Sequence, residues 1–258
     1  MTNPRPADRK TRRGACLLID QARPSRTRSG RHAARSRRRL LLLFASAATL
    51  HGCTGGPGNG ASPEIFNPEL ASAFRSYERT VSEPRTPLRF ESGRMVRDCR
   101  EYLAVPAEDE VDVTVYYRMM AAEYVVCDAL ELLRGARPVP PARRPPSFYT
   151  SALIERLDLT SFQSSLRPQL GDEPSVLSAV PGLEPKAEGF SVVSDTDEWY
   201  YDFEVAARAD FTGDGREDWL VYFTDISREG TYRDNGTLVV TDAGRPGRLR
   251  VSLQRRSP

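Results

Sequence analysis

The hydrophobic period changes several times along the chain, and each change marks a different kind of segment. Residues 40–50, Leu-Leu-Leu-Leu-Phe-Ala-Ser-Ala-Ala-Thr-Leu, carry no charge and follow Arg37, Arg38 and Arg39. A bilayer span needs about twenty apolar residues, so this short run after a basic flank has the order of a secretory signal. Residues 55–62, Gly-Gly-Pro-Gly-Asn-Gly-Ala-Ser, are polar and glycine-rich, the composition of a flexible spacer. Leu70, Phe74, Tyr77 and Val81 recur at helical spacing and predict one amphipathic helix over 68–81, closed by Pro84 and Pro87. Val115, Met119, Ala122, Val126, Leu130 and Leu133 step by three or four and predict a longer helix over 112–134, with Gly135 as its stop.

The next stretch, 137–146, is too dense in proline for a helix interior or a central strand and reads as a stiff linker. Residues 151–166 are mixed, and 171–189 are loop-like with Pro174, Pro181 and Pro185. From Trp199 the period becomes two: Trp199, Tyr201, Phe203, Val205 and Ala207 alternate with more polar neighbours, the pattern of a half-buried strand. Residues 219–224, 237–241 and 249–253 predict further strands, with turn residues at 242–247 between the last two. The pattern as a whole predicts an α+β chain. A helical N-terminal half of the mature chain is expected to pack on or beside a small, mostly antiparallel C-terminal sheet.

Composition divides the chain at the same places. Thirteen of its 37 Lys and Arg but only two of its 35 Asp and Glu precede Cys53, so a net +2 over the whole becomes −9 for the remainder. An acidic remainder releases no counterions from a polyanion, which excludes nucleic acid as a partner. Both histidines, His32 and His51, also precede Cys53. Without histidine the remainder has no Ser-His-Asp or Cys-His catalysis and no imidazole-ligated zinc or iron.

Leu50-His51-Gly52-Cys53 resembles the lipobox of bacterial lipoproteins. In that family a leucine three residues before the cysteine, and a small residue just before it, let a diacylglyceryl-modified cysteine become the new N-terminus. The resemblance implies lipidation of Cys53, export, and residence in the bacterial cell envelope by attachment to a membrane. Thr54 after the cysteine favours the outer membrane over the inner by resemblance to enteric sorting rules. Residues 36–41, Ser-Arg-Arg-Arg-Leu-Leu, are also similar to a twin-arginine signal, so two export routes stay open. The expected organisation is 1–52 basic extension and signal peptide, 53–67 lipidated tether, 68–135 helical segment, 136–147 proline-rich linker and 148–258 β-rich segment.

Two cysteines remain after the lipid-bearing one. In an oxidising compartment an isolated pair is most simply a disulfide, which predicts Cys99 joined to Cys127.

Residues 210–218 read Asp-Phe-Thr-Gly-Asp-Gly-Arg-Glu-Asp. Oxygens at loop positions one, three, five and nine, with a carbonyl at seven, can converge on a hard cation while glycine at six allows the bend. These are Asp210, Thr212, Asp214, the Arg216 carbonyl and Asp218, with Gly215 at the bend and Glu217 pointing away. An all-oxygen set suits calcium. Position twelve is Val221, so the loop is no EF-hand; it resembles the calcium loops of FG-GAP and VCBS-type repeats, where the ion ties neighbouring strands together. Thr212 stands where that family usually has Asn or Asp.

These features point to a non-catalytic envelope lipoprotein with a structural calcium loop, whose partner is an envelope protein or glycan. The alternative is a carbohydrate-binding module or a carboxylate-based glycoside hydrolase. It would use acids among Asp195, Asp197, Glu198, Asp202 and Glu204, with Trp199 and Trp219 as stacking platforms.

Overall fold

The computed structural model describes residues 62–166 and 175–256. The described chain opens with strand β1 (Glu64–Ile65), helices α1 (Pro68–Arg75) and α2 (Tyr77–Thr80), and the hairpin β2 (Leu88–Arg89) and β3 (Met95–Val96). Four more helices follow: α3 (Cys99–Leu103), α4 (Val115–Ala121), α5 (Val125–Gly135) and α6 (Pro146–Arg156). Strands β4 (Lys186–Glu188), β5 (Ser191–Asp195), β6 (Trp199–Ala209), β7 (Asp218–Ser227), β8 (Arg233–Thr241) and β9 (Arg250–Arg256) complete it.

Strands β4 to β9 lie side by side in sequence order, every pair antiparallel, and β1 adds alongside β6 beyond the end of β5. Each consecutive pair is joined by a turn or short loop, the arrangement local connections favour. Alternation splits the strands between two cores. Tyr201, Phe203, Val205, Trp219, Val221, Phe223, Leu238 and Val240 face a core capped by α6 and the 157–166 and 177–180 segments. Ala206, Ala207, Leu220 and Val239 face a second core built from α1 to α5. A register shift between Val205 and Ala207 puts Ala206 and Ala207 together in the second core, breaking the strict period of two.

The expectation of a helical half on or beside a small sheet is therefore wrong. The sheet has seven strands and recruits β1 from the N-terminal side, while the helices are short and cover both of its faces. The helix predicted over 112–134 is two helices separated by a 3-10 turn at Ala122–Tyr124. That turn accompanies a fully buried Tyr124, whose hydroxyl donates to the Thr86 and Val96 carbonyls and so holds the β2–β3 hairpin. The helix predicted over 68–81 breaks at Ser76, whose hydroxyl donates to the Ser72 carbonyl. At its start the Asn67 side chain accepts the Leu70 N–H at 2.7 Å, with Pro68 at the first position.

Cys99 and Cys127 form a disulfide that ties α3 to α5 inside the second core. Residues 136–145 leave α5 on one face and reach α6 on the other by crossing the end of the sheet. Along the way Arg137 exchanges backbone hydrogen bonds with Asp210 at 2.9 and 2.8 Å. Among the described residues no helix is long and apolar enough to cross a membrane. Cys53, the apolar run and most of the 53–67 tether lie outside the described residues.

Candidate functional site

The 210–218 loop closes the β6–β7 hairpin, whose last pair is Ala209 opposite Asp218. Gly213 and Gly215 take φ of 80° and 81°, the left-handed region where a side chain is strained, so the loop turns twice at its glycines. Carboxylate oxygens of Asp210, Asp214 and Asp218 approach within 4.8 Å of one another; Asp210 and Asp218 are buried and Asp214 is exposed.

Backbone donors hold the carboxylates in place. Asp210 Oδ1 accepts the Gly213 and Asp214 N–H groups at 2.6 and 3.1 Å, and its Oδ2 accepts that of Gly215 at 3.0 Å. Asp218 Oδ2 accepts the Phe211 and Thr212 N–H groups at 3.1 Å and the Thr212 hydroxyl at 3.0 Å. Burial pushes the Asp218 carboxyl above its ordinary value, against the lowering by Thr212 and Phe211, and the nearby Asp214 charge pushes it further. Arg216 gives its N–H to Asp214 Oδ1 and places its guanidinium 3.5 Å from Oδ2. Asp210, Asp214 and Asp218 thus converge in one loop and could hold a metal ion, with the Thr212 hydroxyl turned to Asp218.

Glu217 turns out of the loop into a buried ionic cluster that sequence reasoning missed. Its Oε2 accepts from Arg208 Nη1 at 2.6 Å; its Oε1 accepts from Arg144 Nη1 at 2.8 Å and from Trp219 Nε1 at 3.0 Å. Arg208, 1% exposed, also donates to Glu64 at 2.7 Å and to the Pro140 carbonyl at 2.8 Å. One guanidinium therefore joins β1, the proline-rich crossing, β6 and the end of the loop. The visible signal was an arginine inside an otherwise apolar strand end, Val205 to Ala209.

Of the acids proposed for sugar chemistry, Asp202 and Glu204 lie two residues apart on β6, and the others lie at or beyond the end of β5. Asp195 pairs with Arg228, and Glu204 accepts from Asn67 Nδ2 at 2.9 Å. Asp202 is half-buried, and burial pushes its carboxyl up to about 6. Trp219 is fully buried against Phe148 and Tyr149 and offers no face to a ligand. Trp199 is half-buried, stacked on Tyr201 with Tyr232 at its edge.

Two further buried carboxylates are structural. Asp225 accepts the Ser165 N–H at 2.7 Å and hydroxyl at 2.8 Å, pinning the segment before residue 167 to the sheet. Asp128 on α5 accepts the Tyr102 hydroxyl at 2.9 Å and lies 3.6 Å from Arg255 on β9; burial pushes it up to about 7.

The chain matches no family model, no curated protein and no solved structure.

Proposed function

We propose that the chain is a non-catalytic cell-envelope lipoprotein, anchored by lipid on Cys53 at the outer membrane, with a structural calcium clasp at 210–218. The anchor rests on Leu50-His51-Gly52-Cys53 after a basic flank and an apolar run, followed by a glycine-rich spacer. The observation that carries the clasp is the convergence of Asp210, Asp214 and Asp218 at the point where β6 passes into β7. Three carboxylates this close repel one another, and a divalent cation offsets that repulsion while fixing the hairpin. The role is architectural, because the loop donors serve the turn itself and the nearest strong charges are consumed by the Arg208 cluster.

Intact-mass spectrometry of the protein isolated from its envelope tests the anchor, and thermal melting with calcium or chelator tests the clasp. Acyl chains on a chain beginning at Cys53, with melting raised by calcium, are expected. An unacylated N-terminus elsewhere removes the anchor, and superimposable melting curves remove the clasp.

A further inference from the structure

The strand register sorts the turns, and with them the charges, to opposite ends of the sheet. Ala209 opposite Asp218, Thr241 opposite Arg250, and Glu64 opposite Arg208 place three features at one end: the 210–217 loop, the 242–249 turn and the entry of the chain at Ser62. The 136–145 crossing passes over the same end through the Arg137–Asp210 pairing. Asp195 opposite Tyr200 and Ile226 opposite Arg233 place the 196–198 and 228–232 turns at the far end.

The entry end carries Arg137, Arg143, Arg216, Arg245, Arg248 and Arg250, all exposed, against the exposed acids Glu64, Glu155 and Asp214 and the less exposed Asp158, Asp210, Glu217, Asp218 and Asp242. Arg216 and Arg245 lie 3.5 and 3.9 Å from the partly exposed Asp214 and Asp242, pairs that consume little of their charge, whereas Arg250 lies 3.8 Å from the buried Asp158. At the far end Asp195, Asp197, Glu198 and Glu229 face Arg228 and Arg233. A chain whose part after Cys53 carries net −9 thus concentrates arginine where its tether emerges.

We infer that this arginine end is a docking surface for anionic phospholipid headgroups, so that the sheet stands on the membrane with the 210–217 and 242–249 turns against it. The inference rests on the Cys53 anchor. Nine steps of chain separate Cys53 from Ser62, a reach of at most about 32 Å when fully extended and on average far less for a glycine-rich spacer. Within that reach the entry end is the part of the sheet brought to the bilayer. Guanidinium groups suit phosphate because they donate in pairs and shed water more readily than ammonium. Each basic residue close to an anionic leaflet raises partition about fivefold, an effect that fades within a Debye length.

The test uses the protein as isolated from its envelope and reconstituted on vesicles of phosphatidylcholine alone or mixed with phosphatidylglycerol. Flotation with phosphatidylcholine reads the lipid anchor, since that surface has no net charge. Backbone hydrogen exchange on the bound protein then reads the orientation. With phosphatidylglycerol, exchange in 213–217 and 242–249 should slow, exchange in 196–198 and 228–232 should not change, and added salt should reverse the slowing. The combined substitutions Arg143→Gln, Arg245→Gln and Arg250→Gln should abolish the slowing while leaving flotation intact. Equal exchange on both vesicle types, or slowing at the far turns, overturns the inference. A protein that fails to float on phosphatidylcholine ends the anchor reading instead. Its binding to phosphatidylglycerol should then still fall on the order of a hundredfold in the triple variant, and an unchanged affinity overturns the docking surface.

Discussion

Arg208 reaches Glu217 at 2.6 Å with only 1% of its own side chain exposed, so the guanidinium depends on its acidic partners for the solvation it has lost. Glu217→Ala leaves that charge with Glu64 and one carbonyl, and strands the Trp219 indole N–H in the core. Breaking a buried pair on one side costs about 3 kcal/mol or more. Chemical denaturation should show a loss of this size, smaller for Glu217→Gln, which keeps acceptors for Trp219 and Arg144.

Calcium should raise the melting temperature and chelator should lower it. Thr212 in place of a carboxylate or amide weakens the ligand set, so affinity should fall in the range of extracellular sites, about 10⁻⁴–10⁻³ M. At a hundredfold excess over the dissociation constant, binding to the native state alone stabilises it by about 2.7 kcal/mol. Asp214→Ala should erase the calcium response, whereas Glu217→Ala should lower the starting stability yet keep the response.

Reducing Cys99–Cys127, or replacing both with serine, should destabilise the protein by about 3–4 kcal/mol for a closed loop of this length. Both cysteines are fully buried, so the reduced protein should expose alkylatable thiols only on unfolding. Rapid labelling of native protein would contradict that placement.

Stability should fall as pH rises from about 4 to about 7. Burial raises Asp128 from an ordinary 3.8 to about 7, so between these values the unfolded chain has released a proton that the folded chain retains. The unfolded state then binds fewer protons, and the slope of stability with pH is negative. The difference across this window is on the order of a few kcal/mol. Asp128→Asn should flatten it in denaturant melts at pH 5 and pH 8. A slope identical in both proteins would assign the dependence elsewhere, Asp202 being the next candidate.

Cys53→Ser should move the protein from the membrane to the soluble periplasmic fraction, read by fractionation. Retention of the serine variant in the membrane would mean that something other than acylation holds it.

Four strands were legible from the sequence, 199–207 by its alternation and 219–224, 237–241 and 249–253 as short, largely apolar runs between turn residues; each lies within an observed strand or begins one residue before it. Strands β4 and β5 were not. Lys186–Glu188 is exposed throughout, and the alternation in Ser191–Asp195 spans too few residues to stand out from a loop. The two-residue β1 carries no periodicity, and only the distant β6 makes it a strand. Helix breaks at Ser76 and Ala122–Tyr124 were hidden because the apolar spacing runs through them; tertiary bonds of Tyr124, not local propensity, accompany the second. In the loop, the positions of the aspartates were legible because turn chemistry is local. Arg208, Asp128 and Asp225 were not, because a charge at an inward position acquires its meaning from partners as far as 144 residues away.

The sharing of the second core between both halves of the chain dictates an order of assembly. Leu130 and Leu133 on α5 are buried in a cluster that also contains Leu220 and Val239, and β1 pairs with residues 207–208. A nascent chain that ends before β6 can bring its helices together, but the side of the cluster that Ala206, Ala207, Leu220 and Val239 cover stays open. Closure waits for contacts across more than a hundred residues, and contacts this distant make folding slow. A polypeptide built this way completes its second core only when its late strands have been made, so truncation before β8 should leave the helices without their full cover.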